Sequence, residues 1–177
     1  MPPKFDPQKH HRRSIRLPNY DYSQPGAYFV TIVTWHRECL FGAVVNGEVK
    51  LNRYGEIAAE TWQWLERQYP YIKLGAWIVM PNHFHGILII HDDRRGGSRT
   101  APTPTQRKPL GRLIGAFKTV STKHINLLRN TIGSIVWQRN YYEHIIRNER
   151  DLQNKTAYIE ANPLLWDKDD ENLMKIS

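Results

Sequence analysis

The stretch that decides the fold is Trp77-Ile78-Val79-Met80-Pro81-Asn82-His83-Phe84-His85-Gly86-Ile87-Leu88-Ile89-Ile90. Valine, isoleucine and leucine dominate both halves without a regular alternation with polar residues. This pattern is typical of central strands that are covered on both faces. Pro81 and Asn82 interrupt the run, because proline cannot donate a hydrogen bond to a sheet ladder. The stretch therefore predicts a strand, a break and a second strand.

Two histidines, His83 and His85, begin the second of these strands. Because strand side chains alternate between faces, we expect both imidazoles on one face and Phe84 on the other. Two imidazoles on one face form half of a metal site, whereas a single strand histidine is more often a packed core residue. His91 has the same parity, but it lies about 20 Å from His85 along an extended strand and is excluded as a ligand.

The composition fits one globular domain with a sizeable core: the chain has 177 residues, of which 40% are hydrophobic. The single cysteine, Cys39, excludes an internal disulfide and a cysteine-rich zinc module. No apolar run approaches the roughly 18 residues of a membrane span, and no signal peptide is recognisable. We therefore expect a cytoplasmic protein without a membrane partner.

The net charge is +8, and the basic residues are concentrated in two segments. Residues 1–20 carry +4 and residues 92–130 carry +7, while the remainder is nearly neutral. This distribution predicts a nucleic-acid partner and an association with the nucleoid; a generally basic, solvated surface is the alternative. The residues predicted to contact DNA are Arg12, Arg13, Arg16, Arg94, Arg95, Arg107, Lys108, Arg112, Lys118 and Lys155.

Three regions are predicted along the chain. Residues 1–25 are rich in proline and basic residues and are expected to form a flexible arm. Residues 26–165 are expected to form the folded domain, with a mobile basic loop at residues 92–109, where glycine and proline are frequent. Residues 166–177 form a C-terminal tail of mixed charge.

The order of predicted elements indicates the fold class. Strands are predicted at residues 27–34, 74–80, 83–90 and 135–146, a hairpin at 44–51 around Asn46-Gly47, and helices at 52–68, 110–129 and 148–162. This order favours an α+β fold of the ferredoxin-like class, with an antiparallel sheet and helices packed mainly on one side. On the last helix, Tyr158 and Asn162 are four residues apart and share a face.

Three motifs in this chain resemble those of one family. Pro81-Asn82-His83-Phe84-His85 is similar to the His-hydrophobic-His motif of HUH single-strand DNA nucleases. Residues 137–148 resemble the segment before the catalytic helix of REP-associated tyrosine transposases. Tyr158-Ile159-Glu160-Ala161-Asn162-Pro163 resembles the catalytic tyrosine of that family with its polar residue four positions later. Over about residues 20–165 the chain thus resembles this branch of the single-tyrosine HUH transposases.

The resemblance implies a ferredoxin-like HUH core that cleaves and rejoins single-stranded DNA at hairpin-associated repeats. Tyr158 would attack a backbone phosphate and leave a 5′-phosphotyrosine bond and a free 3′-hydroxyl. His83, His85 and Asn162 would bind Mg²⁺ or Mn²⁺; insertion-sequence relatives have glutamine where Asn162 stands, which is one methylene longer. A phenol with a pKa of about 10 is only about 0.1% ionised at neutral pH, so Tyr158 needs a cation to polarise the phosphate. The protein would act as a monomer or homodimer.

Other interpretations remain open from the sequence. Tyr141 and Tyr142 compete with Tyr158 as the nucleophile, although adjacent strand residues face opposite ways and at most one could face the metal. A replication-initiator nickase with HUH chemistry is a second enzyme class, but such proteins usually have larger domains, a third histidine or paired tyrosines. A non-catalytic protein that binds hairpin DNA is the third interpretation, which DNA cleavage assays with a Tyr158→Phe variant would distinguish.

Overall fold

The structure is a computed structural model that describes residues 17–91 and 107–172. The predicted arm up to residue 16, most of the predicted basic loop, and residues 173–177 lie outside the described residues. So do five of the predicted DNA contacts, namely Arg12, Arg13, Arg16, Arg94 and Arg95.

The strands and helices follow one another in the order that the sequence predicts. They are β1 (Gly26–Val33), β2 (Gly42–Val45), β3 (Glu48–Leu51), α1 (Arg53–Gln68), β4 (Ile72–Val79), β5 (His83–Ile90), α2 (Leu110–Leu128), β6 (Tyr142–Ile146) and α3 (Glu149–Ala161). An antiparallel sheet has the strand order β4-β5-β1-β6, and β2 and β3 form a separate hairpin. The predicted ferredoxin-like α+β fold is confirmed.

Local signals in the sequence explain where several elements begin and turn. The Asn52 side chain accepts hydrogen bonds from the backbone N–H groups of Tyr54 and Gly55, and so caps α1. Asn46 and Gly47 have φ angles of 53° and 74°, as a tight hairpin turn with two left-handed residues requires. Asn148 caps α3 by accepting from the backbone N–H of Asp151.

One face of the sheet packs on α1 and α2 and holds the main core. Phe84 from β5 contacts Trp62 of α1 and Phe117 of α2, with ring centroids 4.5 Å and 5.4 Å apart, and all three side chains are fully buried. Gly86 makes room for these rings, because a Cβ there would lie 2.7 Å from Phe84 and 2.8 Å from Trp62. Helices α1 and α2 therefore lie on one face, as predicted.

The opposite face carries α3, a small apolar cluster and, at the start of β5, the segment around Asp169. Phe29, Ile87 and Ile159 are the buried members of this cluster, and Ile159 is the one buried side chain of α3. The odd-numbered residues of β1 and β5 point to this face. Because α3 covers the face only in part, the polar residues at the start of β5 can line a cavity there.

The predicted strand at residues 135–146 is wrong in its first half. Regular pairing begins only at Tyr142, and Trp137 makes a single isolated bridge with Thr34. Tertiary contacts hold the preceding segment instead: the Trp137 indole N–H donates to Ser121 Oγ at 2.9 Å, and the Lys118 ammonium donates to three successive carbonyl oxygens of residues 138–140. Lys118, one of the predicted DNA contacts, is thus half-buried and engaged with the backbone. Among the described helices, none has both the length and the apolar character needed to cross a membrane.

Candidate active site

His83 and His85 lie next to each other on the face of β5 that α3 partly covers. The strand register pairs them with Val33 and Thr31 of β1, and their ring centroids are 4.5 Å apart. Both side chains are almost fully buried, with 0% and 2% exposed. Phe84, between them, points into the core on the other face. The shared face predicted for the two imidazoles is confirmed.

Asn82 fixes the orientation of His83. Its amide nitrogen donates to the carbonyl oxygens of Arg37 at 3.2 Å and of Glu171 at 2.6 Å. Because the nitrogen is committed to these acceptors, the amide oxygen faces His83 Nδ1, at 2.9 Å. An amide oxygen only accepts hydrogen bonds, so Nδ1 of His83 carries the proton and Nε2 bears the lone pair.

Thr31 contacts Nδ1 of His85 as Asn82 contacts Nδ1 of His83. Its hydroxyl oxygen lies 2.8 Å from His85 Nδ1. The Nε2 atoms of His83 and His85 are buried and make no hydrogen bond within the described residues. A hydrogen bond at the far nitrogen is the usual way in which proteins orient a metal-binding histidine. Two oriented imidazoles therefore present unpaired nitrogen atoms on one face of the sheet.

Two oxygen donors complete the polar surroundings of the histidines. Asn162 directly follows α3; it is 2% exposed, and its Oδ1 is buried without a hydrogen-bond partner among the described residues. Oδ2 of Asp169 lies 3.7 Å from His83 Nε2. One ligand atom from each of His83, His85 and Asp169 lies within 4.8 Å of the others, so these three residues could hold a metal ion.

The sequence did not predict a role for Asp169, which lies in the C-terminal tail predicted at residues 166–177. In the structure, a short helical turn at Trp166–Lys168 brings the chain back to the start of β5. The bond from the Asn82 amide to Glu171 O fixes this segment, together with an ion pair between Arg37 and Glu171 at 2.8 Å. The only signal in the sequence was the acidic run Asp169-Asp170-Glu171, which has no spacing relation to the histidines.

Burial keeps both imidazoles neutral. It lowers the pKa of His83 to about 4, and the nearby charge of Asp169 opposes that shift only in part. Burial also holds the pKa of His85 well below its ordinary value, with smaller contributions from the charges of His83 and Lys155. At neutral pH each ring is therefore in the uncharged form, the form that can donate a lone pair to a metal.

Tyr158 lies one helical turn before Asn162 and packs against His85. The ring centroids of Tyr158 and His85 are 5.2 Å apart, and that of Phe29 is 6.0 Å from Tyr158. Tyr158 is 45% exposed, so its ring is partly open to solvent. Burial raises the pKa of the Tyr158 phenol, and the charge of Asp169 raises it further, whereas the Asn162 side chain lowers it. The phenol is therefore protonated at neutral pH.

A cavity of about 570 Å³ brings several of these groups together. Its walls include His85, Tyr158, Asn162 and Asp169, together with Lys155, one turn before Tyr158 on α3. The Lys155 ammonium lies 4.9 Å from the centre of the Phe29 ring. The cavity thus places a phenol, an imidazole, an amide, a carboxylate and an ammonium group around one space.

Tyr141 and Tyr142, the two alternative candidates for the nucleophile, face opposite sides of the sheet. Tyr142 lines the same cavity as Tyr158, and its ring centroid is 6.3 Å from that of Phe29. Tyr141 points the other way: it packs against the main core, with the Lys118 ammonium 5.5 Å from its ring centre. Of the three candidate tyrosines, Tyr142 and Tyr158 are therefore at the site and Tyr141 is not.

Of the described residues predicted to contact DNA, only Lys155 lines this cavity. Arg107 is 7% exposed, and the Lys108 ammonium lies over the Tyr69 ring at 5.1 Å. Arg112 is exposed on α2. Of the five described residues, Lys155 alone is thus placed at the candidate active site.

The chain has similar sequences among known proteins. No family model matches the chain. It is 36% identical over 177 residues to an uncharacterised protein of Haemophilus influenzae, covering 96% of this chain and 97% of that protein. A second H. influenzae protein, provisionally named a REP-associated tyrosine transposase, is 27% identical over 152 residues, which cover 84% of this chain and 77% of that protein.

A solved structure has the same fold. It is that of a REP-associated tyrosine transposase bound to a REP hairpin, with a TM-score of 0.57 and 21% identity, covering 84% of this chain and 72% of that one. The chain is therefore similar in sequence to a protein named as a REP-associated tyrosine transposase, and it shares the fold of a solved REP-associated tyrosine transposase.

Proposed function

We propose that the protein cleaves and rejoins single-stranded DNA at hairpin-associated repeats, with Tyr158 as the nucleophile and a divalent cation as cofactor. One observation carries this proposal. The unpaired Nε2 atoms of His83 and His85 and the unpaired Oδ1 of Asn162 are buried next to the Tyr158 ring. Unpaired buried polar atoms are costly, so a cluster of them indicates a ligand.

The donor atoms fit a hard divalent cation. Two imidazole nitrogens, one amide oxygen and one carboxylate match Mg²⁺ or Mn²⁺ better than a structural zinc site rich in thiolates. His83, His85 and Asn162 would hold the ion, and Asp169 is a further oxygen donor that lies within reach of His83. When bound, such an ion would polarise a phosphate of the DNA and orient it for attack.

Tyr158 would then supply the nucleophilic oxygen. A bond forms between the phenolic oxygen and the phosphorus while the bond from phosphorus to the 3′-oxygen breaks. The phenol loses its proton, and the departing 3′-oxygen gains one and becomes a hydroxyl group. Because the phosphotyrosine bond retains the energy of the phosphodiester, the reverse step can join a new 3′-hydroxyl without ATP.

The surrounding side chains support this chemistry. Rings of His85 and Phe29 pack against the Tyr158 ring and restrict its position. Lys155 lines the same cavity and would place a positive charge near the phosphate. The structural relative is bound to a REP hairpin, and we propose hairpin DNA of this class as the substrate here. Basic segments at residues 1–20 and 92–130 would add contacts to the DNA backbone.

The decisive experiment seeks a covalent protein–DNA bond. Single-stranded DNA from the flanks of the gene is incubated with the full-length protein and Mn²⁺ or Mg²⁺, and a denaturing gel separates free protein from adduct. We expect an adduct with the wild type and none with Tyr158→Phe, which removes only the hydroxyl and keeps the ring. DNA binding and the folded state should persist in that variant.

Tyr142→Phe is the matched control, because Tyr142 lines the same cavity. It should still form the adduct, as should Tyr141→Phe. An adduct formed by Tyr158→Phe would contradict the proposal and make Tyr142 the next candidate. Hairpin binding by the wild type without any cleavage would instead indicate a non-catalytic DNA-binding protein.

A further inference from the structure

Thr31 lines the cavity that contains Tyr158 and lies between two strands that also reach this cavity. In β1 it is paired with His85 of β5 on one side and with Tyr142 of β6 on the other. The side chains of all three residues line the cavity, and Thr31 itself is half-buried. The Thr31 hydroxyl group is therefore placed where it can contact a ligand of the candidate active site.

The hydrogen bonds of the Thr31 hydroxyl group are incomplete. Its oxygen lies 2.8 Å from His85 Nδ1, and this is the one hydrogen bond of the group among the described residues. Thr61 of α1 is different, because its hydroxyl donates to the backbone carbonyl oxygen of Ile57 at 2.7 Å. A hydroxyl group can donate one hydrogen bond and accept others. The contact with His85 therefore leaves either the hydrogen or the remaining lone pairs of Thr31 for a ligand.

The tautomer of His85 determines which of the two is left. If Thr31 donated to Nδ1, the imidazole proton would be on Nε2, which is buried without a hydrogen-bond partner among the described residues. A protonated Nε2 has no lone pair for a cation. If Nδ1 carries the proton, it donates to the Thr31 oxygen, and Nε2 keeps its lone pair. Cation binding by His85 thus requires the tautomer in which the Thr31 hydrogen is not used by the histidine.

The cavity offers this hydrogen an acceptor once a phosphate is bound. Strand β1 is paired with a strand on each side, so its backbone carbonyl groups are used within the sheet. Thr31 and Tyr158 both contact the ring of His85 and both line the cavity. A phosphate held beside Tyr158 would therefore bring its oxygens towards Thr31. A hydrogen bond from a hydroxyl group to an anionic oxygen is among the stronger hydrogen bonds in proteins.

We propose that Thr31 is a catalytic residue, whose oxygen accepts a hydrogen bond from His85 Nδ1 and whose hydroxyl donates one to a non-bridging oxygen of the scissile phosphate. The first bond presents Nε2 of His85 to the cation. The second orients the phosphate for attack by Tyr158 and stabilises the charge on its oxygens during the reaction. This inference rests on the proposed function, since it requires a cation at the histidines and a phosphate beside Tyr158.

The bond to His85 is tested without DNA. Thr31→Val removes the hydroxyl but keeps a β-branched side chain that suits a strand. In metal-free protein at neutral pH, nitrogen NMR of the His85 ring should show the proton on Nδ1 in the wild type and a shift towards Nε2 in Thr31→Val. Calorimetry should show about tenfold weaker Mn²⁺ binding, as expected for the loss of an orienting group. Thr31→Ser, which keeps a hydroxyl group, should restore both properties.

The bond to the phosphate is tested at Mn²⁺ concentrations that saturate each variant. In a single turnover, Thr31→Val should form the covalent adduct about 100-fold more slowly than the wild type, as expected for the loss of one donor to a developing charge. Thr31→Ser should react nearly as fast as the wild type. Replacing one non-bridging oxygen by sulfur gives two phosphorothioate isomers of the substrate. One isomer should slow the wild type through this bond and have no such effect on Thr31→Val, which lacks the donor.

Thr61→Val is the matched control, because it removes a hydroxyl group that is buried on α1 and bonded to its own helix. It should change neither the His85 tautomer, nor the Mn²⁺ affinity, nor the rate of adduct formation. Circular dichroism and thermal unfolding would establish that each variant is folded before the rates are compared.

Several results would overturn the inference. One is a wild-type His85 that carries its proton on Nε2, and another is Thr31→Ser behaving like Thr31→Val. A third is a Thr31→Val variant that reacts at the wild-type rate once Mn²⁺ is saturating, which would make Thr31 an orienting residue without a contact to the phosphate. If the wild type forms the adduct in these cases, the proposed function stands and only the role of Thr31 fails. A wild type that forms no adduct would overturn both.

Discussion

At the scale of single residues, the site depends as much on the groups that orient the histidines as on the histidines themselves. Asn82 is fully buried, and its amide connects the start of β5, the loop at Arg37 and the C-terminal segment at Glu171. It also selects the tautomer of His83 that leaves Nε2 free. If His83 holds the proposed cation, an asparagine that contacts no substrate would therefore control the binding of that cation.

We predict that Asn82→Ala weakens Mn²⁺ binding by about 10- to 100-fold, the usual cost of losing an orienting residue behind a metal ligand. Isothermal titration calorimetry on the folded protein would measure this. The two carbonyl oxygens left without a donor should also lower the free energy of unfolding by about 1–3 kcal/mol.

Asn126→Ala serves as the control for that prediction. Asn126 is 5% exposed, and its amide likewise donates to a backbone carbonyl, that of Ser134. Asn126→Ala should therefore lower the free energy of unfolding without affecting Mn²⁺ affinity. Equal losses of metal affinity in both variants would mean that Asn82 acts only through general stability.

At the scale of elements, α3 carries the proposed nucleophile yet buries little of itself against the sheet. Ile159 is its one buried residue, and Leu152 is partly buried beside the same small cluster. Its first turn is joined to β6 by His144, whose Nε2 lies 2.8 Å from Asp151 Oδ2, and Asp151 also accepts from the backbone N–H of Arg147. These bonds set where the helix begins and hence where Tyr158 lies.

We predict that Asp151→Ala slows formation of the covalent adduct and speeds hydrogen exchange along α3. The reason is that removing the carboxylate loosens the first turn, while His83 and His85 on β5 keep their places. Stability should fall by about 1 kcal/mol, as expected for one partly exposed charge-assisted hydrogen bond. Rapid-quench gels and hydrogen–deuterium exchange would measure the two effects.

Glu149→Ala is the matched control, because Glu149 is also an acidic residue in the first turn of α3. Among the described residues its carboxylate accepts a hydrogen bond from Gln153 alone, at 3.3 Å on the same helix. It should leave the rate of adduct formation nearly unchanged. If Glu149→Ala slows the reaction as much as Asp151→Ala, helix charge rather than the His144 contact is responsible.

Elements governed by local periodicity could be predicted from the sequence, and those governed by distant contacts could not. The two-residue alternation placed His83 and His85 on one face, and helical spacing placed Tyr158 with Asn162. The segment at residues 135–141 has strand-like composition, but its backbone is held by Lys118 and by the Trp137–Ser121 contact, which no local pattern encodes.

The position of Asp169 at the site likewise could not be predicted from the sequence. It approaches His83 only because the chain after α3 turns back across the start of β5, where Asn82 and Arg37 hold it. Such a contact depends on the completed fold, and an acidic run near the end of a sequence is normally a solvated surface. The family resemblance therefore indicated Asn162 as the third ligand, and no pattern in the sequence indicated Asp169.

At the scale of the whole molecule, charge is distributed unevenly around the site. The chain has a net charge of +8, yet the described lining of the cavity beside Tyr158 has three carboxylates, Asp169, Asp170 and Glu171, and two ammonium groups, Lys155 and Lys168. A DNA backbone attracted to the basic protein would therefore meet local repulsion at the cavity. A bound divalent cation would reverse the sign of that local charge.

We therefore predict that Mn²⁺ and DNA bind cooperatively. In Tyr158→Phe protein, which cannot cut, Mn²⁺ should tighten binding of a hairpin with single-stranded flanks by about tenfold relative to buffer with EDTA. By thermodynamic linkage, the same DNA must tighten Mn²⁺ binding by the same factor. On one preparation, fluorescence anisotropy would measure the change in DNA affinity and calorimetry the change in Mn²⁺ affinity. The two factors should be equal.

A variant of the acidic residues tests whether their repulsion of DNA causes the cooperativity. Asp169→Asn combined with Asp170→Asn should bind DNA more tightly than the parent in EDTA and gain less from Mn²⁺, because less repulsion is left for the ion to cancel. Glu66→Gln, an exposed carboxylate on α1, is the control and should change neither affinity. If the double variant binds DNA like the parent in EDTA, the carboxylates do not repel the strand. The cooperativity must then arise from direct contact between the ion and a phosphate, which requires the scissile group to lie within reach of His83 and His85.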